Sequence, residues 1–276
     1  MFRNEIYMYE RIIPLFADLE SPYIYGCEEE IILRDLRPEA SFHATSLAKK
    51  LENLSDFNKL LSPLEEIQFP KGQPAELGET IVDSMKEAIK NMELIKKSDE
   101  LDAAIKFLKM HISDVVPIMK DFVSPPNNMY HVLTHGDCWN NNILFQHDTL
   151  GHVTATQFID YQTPRHVSLA LDVHYFLYSS AQTSVINNNY KELIDLYHKS
   201  FIENLKKLSV KEAHIKALSL NWLERELQRH SLYGVFTGVW LVGAVFARDE
   251  NHVDPATEKQ KRTKNIVLHY IKNYVP

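Results

Sequence analysis

The chain has 276 residues, enough for one or two domains. Hydrophobic residues make up 45% and charged residues 24%, which excludes a disordered or collagen-like chain. With 30 basic against 37 acidic residues, the formal net charge is −7. A chain of this sign has no global attraction for nucleic acid or for anionic lipid.

Residues 1–19 read as an amphipathic helix, with Phe2, Ile6, Tyr9 and Ile13 at helical spacing and Pro14 marking a break or kink. Charges interrupt its apolar run and no small-residue cleavage site follows, so it is not a signal peptide. Two short strand-like pieces come next, Tyr23–Tyr25 and Glu30–Leu33, around a turn at Gly26-Cys27-Glu28. From Pro38, a first-turn proline, a helix runs through SFHATSLAKKL. Ser62–Gly78 holds Pro63, Pro70, Pro74, Gly72 and Gly78 and reads as a long loop. Helices are expected at Glu79–Asn91 and Asp99–Val116, the second ending at Pro117.

Residues 130–162 change character. NNILF is strand-like, QHDTLG is a turn, and HVTATQFID alternates and is rich in β-branched residues. A β-hairpin is expected, its polar residues gathered at the outer ends. After Pro164 the pattern is helical to the end, over about 169–181, 187–207, 211–247 with breaks, and 256–273. Ser231–Ala247 carries no charge but is shorter than the roughly 20 residues of a membrane span. It reads as a core helix whose Gly234 and Gly238 allow a close neighbour. Trp222, Tyr233, Phe236 and Trp240 read as core packing there. The two cysteines, Cys27 and Cys138, are too few for a disulfide framework and fit reduced thiols in a cytoplasmic protein.

Only 8 glycines occur, and neither G-x-G-x-x-G nor G-x-x-x-x-G-K-[ST] is present. The informative run is instead His135-Gly136-Asp137, with Asn142 five residues beyond Asp137, then Ile159-Asp160-Tyr161-Gln162. A hairpin folds its outer ends together, which makes Asn142 and Asp160 neighbours. An amide oxygen and a carboxylate suit a hard Mg²⁺ ion. A second carboxylate beside them, Asp137, can take the proton of a substrate hydroxyl. This is the inventory of phosphoryl transfer, and His-Gly-Asp in place of H-R-D points to small-molecule kinases. His135 itself reads as a brace for the loop. Taken singly, each residue has a blander reading as a turn, cap or chance match. The ordered set outweighs those readings. A metallohydrolase with His135, Asp137 and Asp160 as ligands competes, but no H-x-H or H-E-x-x-H occurs. A serine hydrolase lacks its G-x-S-x-G. Asp137 beside Cys138 raises that thiol's pKa and argues against a nucleophile.

VLTHGDCWNNNILF followed by FIDYQ resembles the ecdysteroid kinase-like (CHK kinase-like) family, relatives of the choline and aminoglycoside phosphotransferases. Phe2-Arg-Asn-Glu5 with Tyr9 and Pro14 is similar to the family's small-lobe helix, Ile32-Leu33-Arg34-Asp35-Leu36 to its hinge, and Phe42-His43-Ala44-Thr45-Ser46 to its first large-lobe helix. Ala170-Leu171-Asp172 is similar to the segment after the metal loop. The resemblance implies an α+β protein-kinase-like fold, with a truncated small lobe and hinge at 1–36 and a mainly helical large lobe at 37–276. It implies ATP and Mg²⁺ as cofactors and a hydroxylated small molecule, such as an ecdysteroid, as substrate, with no nucleic-acid or membrane partner. It makes Asp137 the catalytic base, Asn142 and Asp160 the metal ligands, Glu5 the carboxylate that pairs with the ATP-holding lysine, and Asp172 structural. The family's phosphate-covering loop and its lysine have no counterpart before Glu5, and the stretch between hinge and FHATS is short. The expectation is a shortened chain, Met1 an internal methionine taken as a start, with weak or absent activity by itself. The other expectation is a non-catalytic, kinase-derived binding protein.

Overall fold

In a computed structural model the described residues are 2–16, 36–124, 128–150, 153–246 and 255–275. The strand-like pieces at 23–25 and 30–33, Cys27 and most of the hinge-like run lie outside them.

The first helical segment comprises α1 (Phe2–Tyr7), a π-helical turn (Met8–Ile12) and α2 (Ile13–Phe16). The chain stays helical through Pro14, and the irregularity there is a π-turn and not a break. The Ile13 amide donates to the Met8 carbonyl, a wide-ring bond just before the proline. Such a turn relieves the crowding a proline ring causes in a regular helix. Then come α3 (Arg37–Glu52), with Pro38 in its first turn, and α4 (Leu54–Leu61), capped by the Asn53 side chain on the Asp56 amide. A loop leads to α5 (Glu76–Glu93) and α6 (Asp99–His111), the latter capped by Ser98.

The helix expected to run to Val116 ends at His111, and Pro117 lies in the first turn of α7 (Val115–Val123). A first-turn amide has no helical acceptor to lose, so proline starts a helix there as readily as it ends one. The expected hairpin is β2 (Ile143–His147) with β3 (Val153–Phe158), antiparallel from Ile143↔Phe158 to His147↔Val153. Beside it, β1 (Val132–Thr134) pairs with β4 (Arg165–Val167). This corrects the expectation of helix directly after Pro164. Three residues are too few to show alternation, and the partner is 31 positions or more away. The rest is helical: α8 (Ala170–Ser180), α9 (Thr183–Lys207), α10 (Glu212–Ala217), α11 (Leu220–Phe246) and α12 (Pro255–Tyr274).

The central element is α8, whose residues 170–178 are all buried. Leu171, Tyr175 and Tyr178 face a core shared with α5, α6, α7, α11 and α12. Ala170, Val173, Phe176 and Leu177 face a second core with α3, α9 and α10. A helix that is apolar all round belongs inside a protein, not on it. Gly234 lets α11 lie against α8: a Cβ there would come within 2.5 Å of the Tyr178 ring. Tyr233 and Phe236 are core residues, while Trp222 and Trp240 are half-buried against it. Among the described residues no helix is long and apolar enough to cross a membrane. A third, small core joins Met8, Ile12 and Phe16 to Leu133 and Tyr161. Asn4 completes that docking, its amide donating to the Glu65 and Gln162 carbonyls.

Four histidines sit in this interior with depressed pKa values. Burial is the first cause at each, taking His131 and His174 to about 3 and His166 and His269 to about 4. They regain an ordinary value near 6.5 on unfolding, so below that pH the unfolded chain binds more protons and stability falls. The urea midpoint followed by circular dichroism is expected to drop between pH 6.5 and 5, above the main carboxylate range. A midpoint constant over that interval would contradict the burial of these rings.

Candidate phosphotransfer site

The site is built on the loop between β1 and β2. Asp172, wholly buried on α8, takes the His135 amide on Oδ2 at 2.6 Å and the Gly136 amide on Oδ1 at 3.0 Å. His43 Nε2 lies 3.1 Å from Oδ2, and His43 Nδ1 lies 2.7 Å from the Tyr197 hydroxyl. A carboxylate oxygen only accepts, so Nε2 is the donor of that bond. Burial would raise the Asp172 pKa, but the hydrogen bond and charge of His43 outweigh it and the carboxyl stays below its usual range.

Gly136 has φ +83°, and a Cβ there would meet the Thr163 carbonyl oxygen at 1.8 Å. Only glycine fits that approach. From the other side the buried Arg165 donates to the Gly136 carbonyl, to Gln68 and, through Nε at 2.5 Å, to Glu66. Burial alone would lower Arg165 and raise Glu66. Their pairing reverses both, so each keeps its charge.

His135 bears out its reading as a brace. Its Nε2 donates to the Ile159 carbonyl at 2.9 Å, and its Nδ1 faces the Asp137 amide at 3.3 Å. Burial lowers its pKa, which favours this neutral tautomer. The Cys138 thiol is raised, as expected, but the causes are burial and then Glu39, to which Sγ donates at 2.8 Å. Asp137 is the least of them.

The sequence-derived residues meet at the hairpin mouth. The Ile159 amide donates to the Asn142 carbonyl at 2.9 Å, which brings the two outer ends together. Asn142, in a 3₁₀ turn (Asn140–Asn142), donates its side-chain NH₂ to the Asp137 carbonyl and to Asp137 Oδ2, both at 2.9 Å. Two acceptors fix the amide's orientation and turn its oxygen away from Asp137. The other Asp137 oxygen receives the Tyr175 hydroxyl at 2.5 Å. Asp160 has φ +63°, a conformation that costs a non-glycine residue on the order of 1 kcal/mol. Its amide donates to the Tyr9 hydroxyl at 3.3 Å. Asp160 Oδ1 is buried and lacks a hydrogen-bond partner among the described residues. The Asp160 pKa is raised by burial and then by Asp137, and that of Glu5 by burial and then by Asp160. Glu5, Asp160 and Asp137 therefore form a chain of like charges in electrostatic contact, and among the described residues no cation pairs with Glu5.

Among the described residues no three His, Cys, Asp or Glu side chains are grouped to hold a metal unaided. Asn142 and Asp160 nevertheless fit Mg²⁺, which takes one or two protein ligands and completes its shell with water and phosphate oxygens. The orphaned Asp160 oxygen and the repulsion among the acids are the features such an ion would relieve.

Sequence reasoning missed Tyr175, Arg165, Glu66 and Asn4. Tyr175 stands three positions after Asp172, so both lie on one face of α8, a spacing visible in ALDVHY. Arg165–Glu66 and Asn4–Glu65 are long-range contacts with no local signal.

Two acids and an amide thus gather at a hairpin mouth fed by an H-G-D loop, the set to which the sequence pattern pointed. A family model agrees: the ecdysteroid kinase-like family matches residues 25–210, and this chain belongs to that family. No curated protein matches the chain.

The folded-state pKa of Asp160 lies above its ordinary 3.8, so its charge opposes folding at neutral pH and not below that value. Asp160→Asn in the metal-free protein is expected to raise the melting temperature at pH 7, with the gain fading as the pH falls through the carboxylate range. An equal shift at pH 7 and pH 3.5 would rule out a charge effect.

Proposed function

We propose that this kinase-like chain is a phosphotransferase acting on a hydroxyl of a small molecule, with ATP as donor and Mg²⁺ as cofactor. The observation that carries this reading is the meeting of Asp137, Asn142 and Asp160. They come from the two ends of one hairpin, and one carboxylate oxygen is left unpartnered.

Asp137 takes the proton of the acceptor hydroxyl. Tyr175 and Asn142 each donate to one of its oxygens and hold the carboxylate in a single orientation, so little reorganisation is needed at reaction. The Asn142 amide oxygen and the Asp160 carboxylate hold Mg²⁺. When bound, the ion screens phosphate charge and aligns the transferred group. Glu5 adds negative potential at the same mouth and favours cation capture. An ecdysteroid is the acceptor that the family name supports.

The 276 residues contain neither glycine-rich phosphate-loop pattern. Neither pattern supplies backbone donors to a triphosphate here, so its positioning rests on other groups. The same feature favours a second reading, a kinase-derived protein that binds a ligand or partner without catalysis.

Calorimetry separates the two. Wild type is expected to bind ATP only with Mg²⁺, and Asp160→Ala to lose that dependence. Wild type with no Mg²⁺-dependent nucleotide binding would exclude the enzyme reading. Asp137→Asn is expected to lower turnover by about 100-fold or more while nucleotide binding is retained. Parallel loss of both would deny Asp137 the role of base.

A further inference from the structure

Lys50, on α3, has no part in the phosphotransfer site. Its side chain is 5% exposed, and Nζ donates to the carbonyls of Asn128 at 2.6 Å and His131 at 3.0 Å. An ammonium has three donors, so one remains without a partner among the described residues. Among the described residues no carboxylate pairs with it. Burial pulls its pKa down to about 8.

Lys50 lines a cavity of about 460 Å³ between α3, α4, the Asn128–Met129 segment and β4. That volume is in the range of small-molecule sites. Leu51, Leu54 and Met129 form apolar wall, and Asn58 and His166 are polar wall. The lining contains none of Glu5, Asp137, Asn142 or Asp160, and no acidic residue. His166 Nε2 is buried and has no hydrogen-bond partner among the described residues. The His131 and His166 rings are 6.1 Å apart, and the positive potential of Lys50 acts on both. The polar end of the cavity thus holds one ammonium, Lys50, with no acidic residue on its lining.

We propose that this cavity binds a small organic anion, a monocarboxylate with an apolar tail, with its carboxylate on Lys50 and its tail along Leu51, Leu54 and Met129. One ammonium with one spare N–H, and no arginine, matches a monoanion better than a phosphate dianion. The cavity adjoins His131, at the opposite end of β1 from the His135–Asp137 loop. The site is therefore separate from the phosphotransfer site and does not depend on that reading.

The test is calorimetry and thermal shift on the full chain with decanoate and, as its uncharged counterpart, decanol, both below their aggregation limits. Decanoate is expected to bind one per chain and raise the melting temperature, with decanol at least tenfold weaker. Lys50→Met should remove the preference for decanoate. Because that variant also loses two loop contacts, Leu54→Asp is the second probe. Leu54 is 55% exposed in the first turn of α4, where an acid suits the helix, so the fold is retained. It should weaken decanoate at least tenfold. Decanol binding as tightly as decanoate, decanoate binding that survives Leu54→Asp, or no binding of either leaves Lys50 a loop tie and overturns the proposal.

Discussion

The buried carboxylate of Asp172 is the constraint on which the site depends. It sits on the most enclosed helix of the protein and faces a loop whose first two amides have no strand or helix partner. Accepting both amides, and the His43 N–H, leaves Asp172 paired and the loop immobile. A buried charge without such partners would be costly, and so would two buried amides without an acceptor. Each therefore requires the other. Tyr197 extends the arrangement through His43, so α3, α8 and α9 all bear on the position of Asp137.

Around that anchor, neutral and charged interactions divide the work. The Arg165–Glu66 pair and the Gly136–Thr163 contact set where the loop runs. Tyr175 and Asn142 set how the Asp137 carboxylate is turned. The acids at the mouth are left partly unneutralised, and Asp160 is held in a left-handed conformation with a bare oxygen. Strain and repulsion of this kind oppose folding, and the cation of the proposed function would relieve the repulsion. The anchor is fully paired and the mouth is not, which separates structural from chemical residues within one short loop.

Lys50 shows the same contrast at the far end of β1. There the unbalanced charge is positive and the surrounding wall is apolar. The two ends of one three-residue strand thus present opposite potentials, and each end lacks its counter-ion among the described side chains.

The long helices, the β2–β3 hairpin and the approach of Asn142 to Asp160 could be read from the sequence, because each rests on local periodicity or on the closure of a hairpin. The family was equally visible, since H-G-D, Asn142 and I-D-Y-Q form one compact run. The proline reading at 117 went wrong because a proline's effect depends on which neighbouring amides are bonded, and the residue type does not state that. Strand β4, the Arg165–Glu66 pair and the hold of Asn4 on Glu65 were decided only in three dimensions. Their partners are separated by 31 to 99 positions, and such pairs are selected by packing of the whole chain, which leaves no trace in the spacing of neighbouring residues.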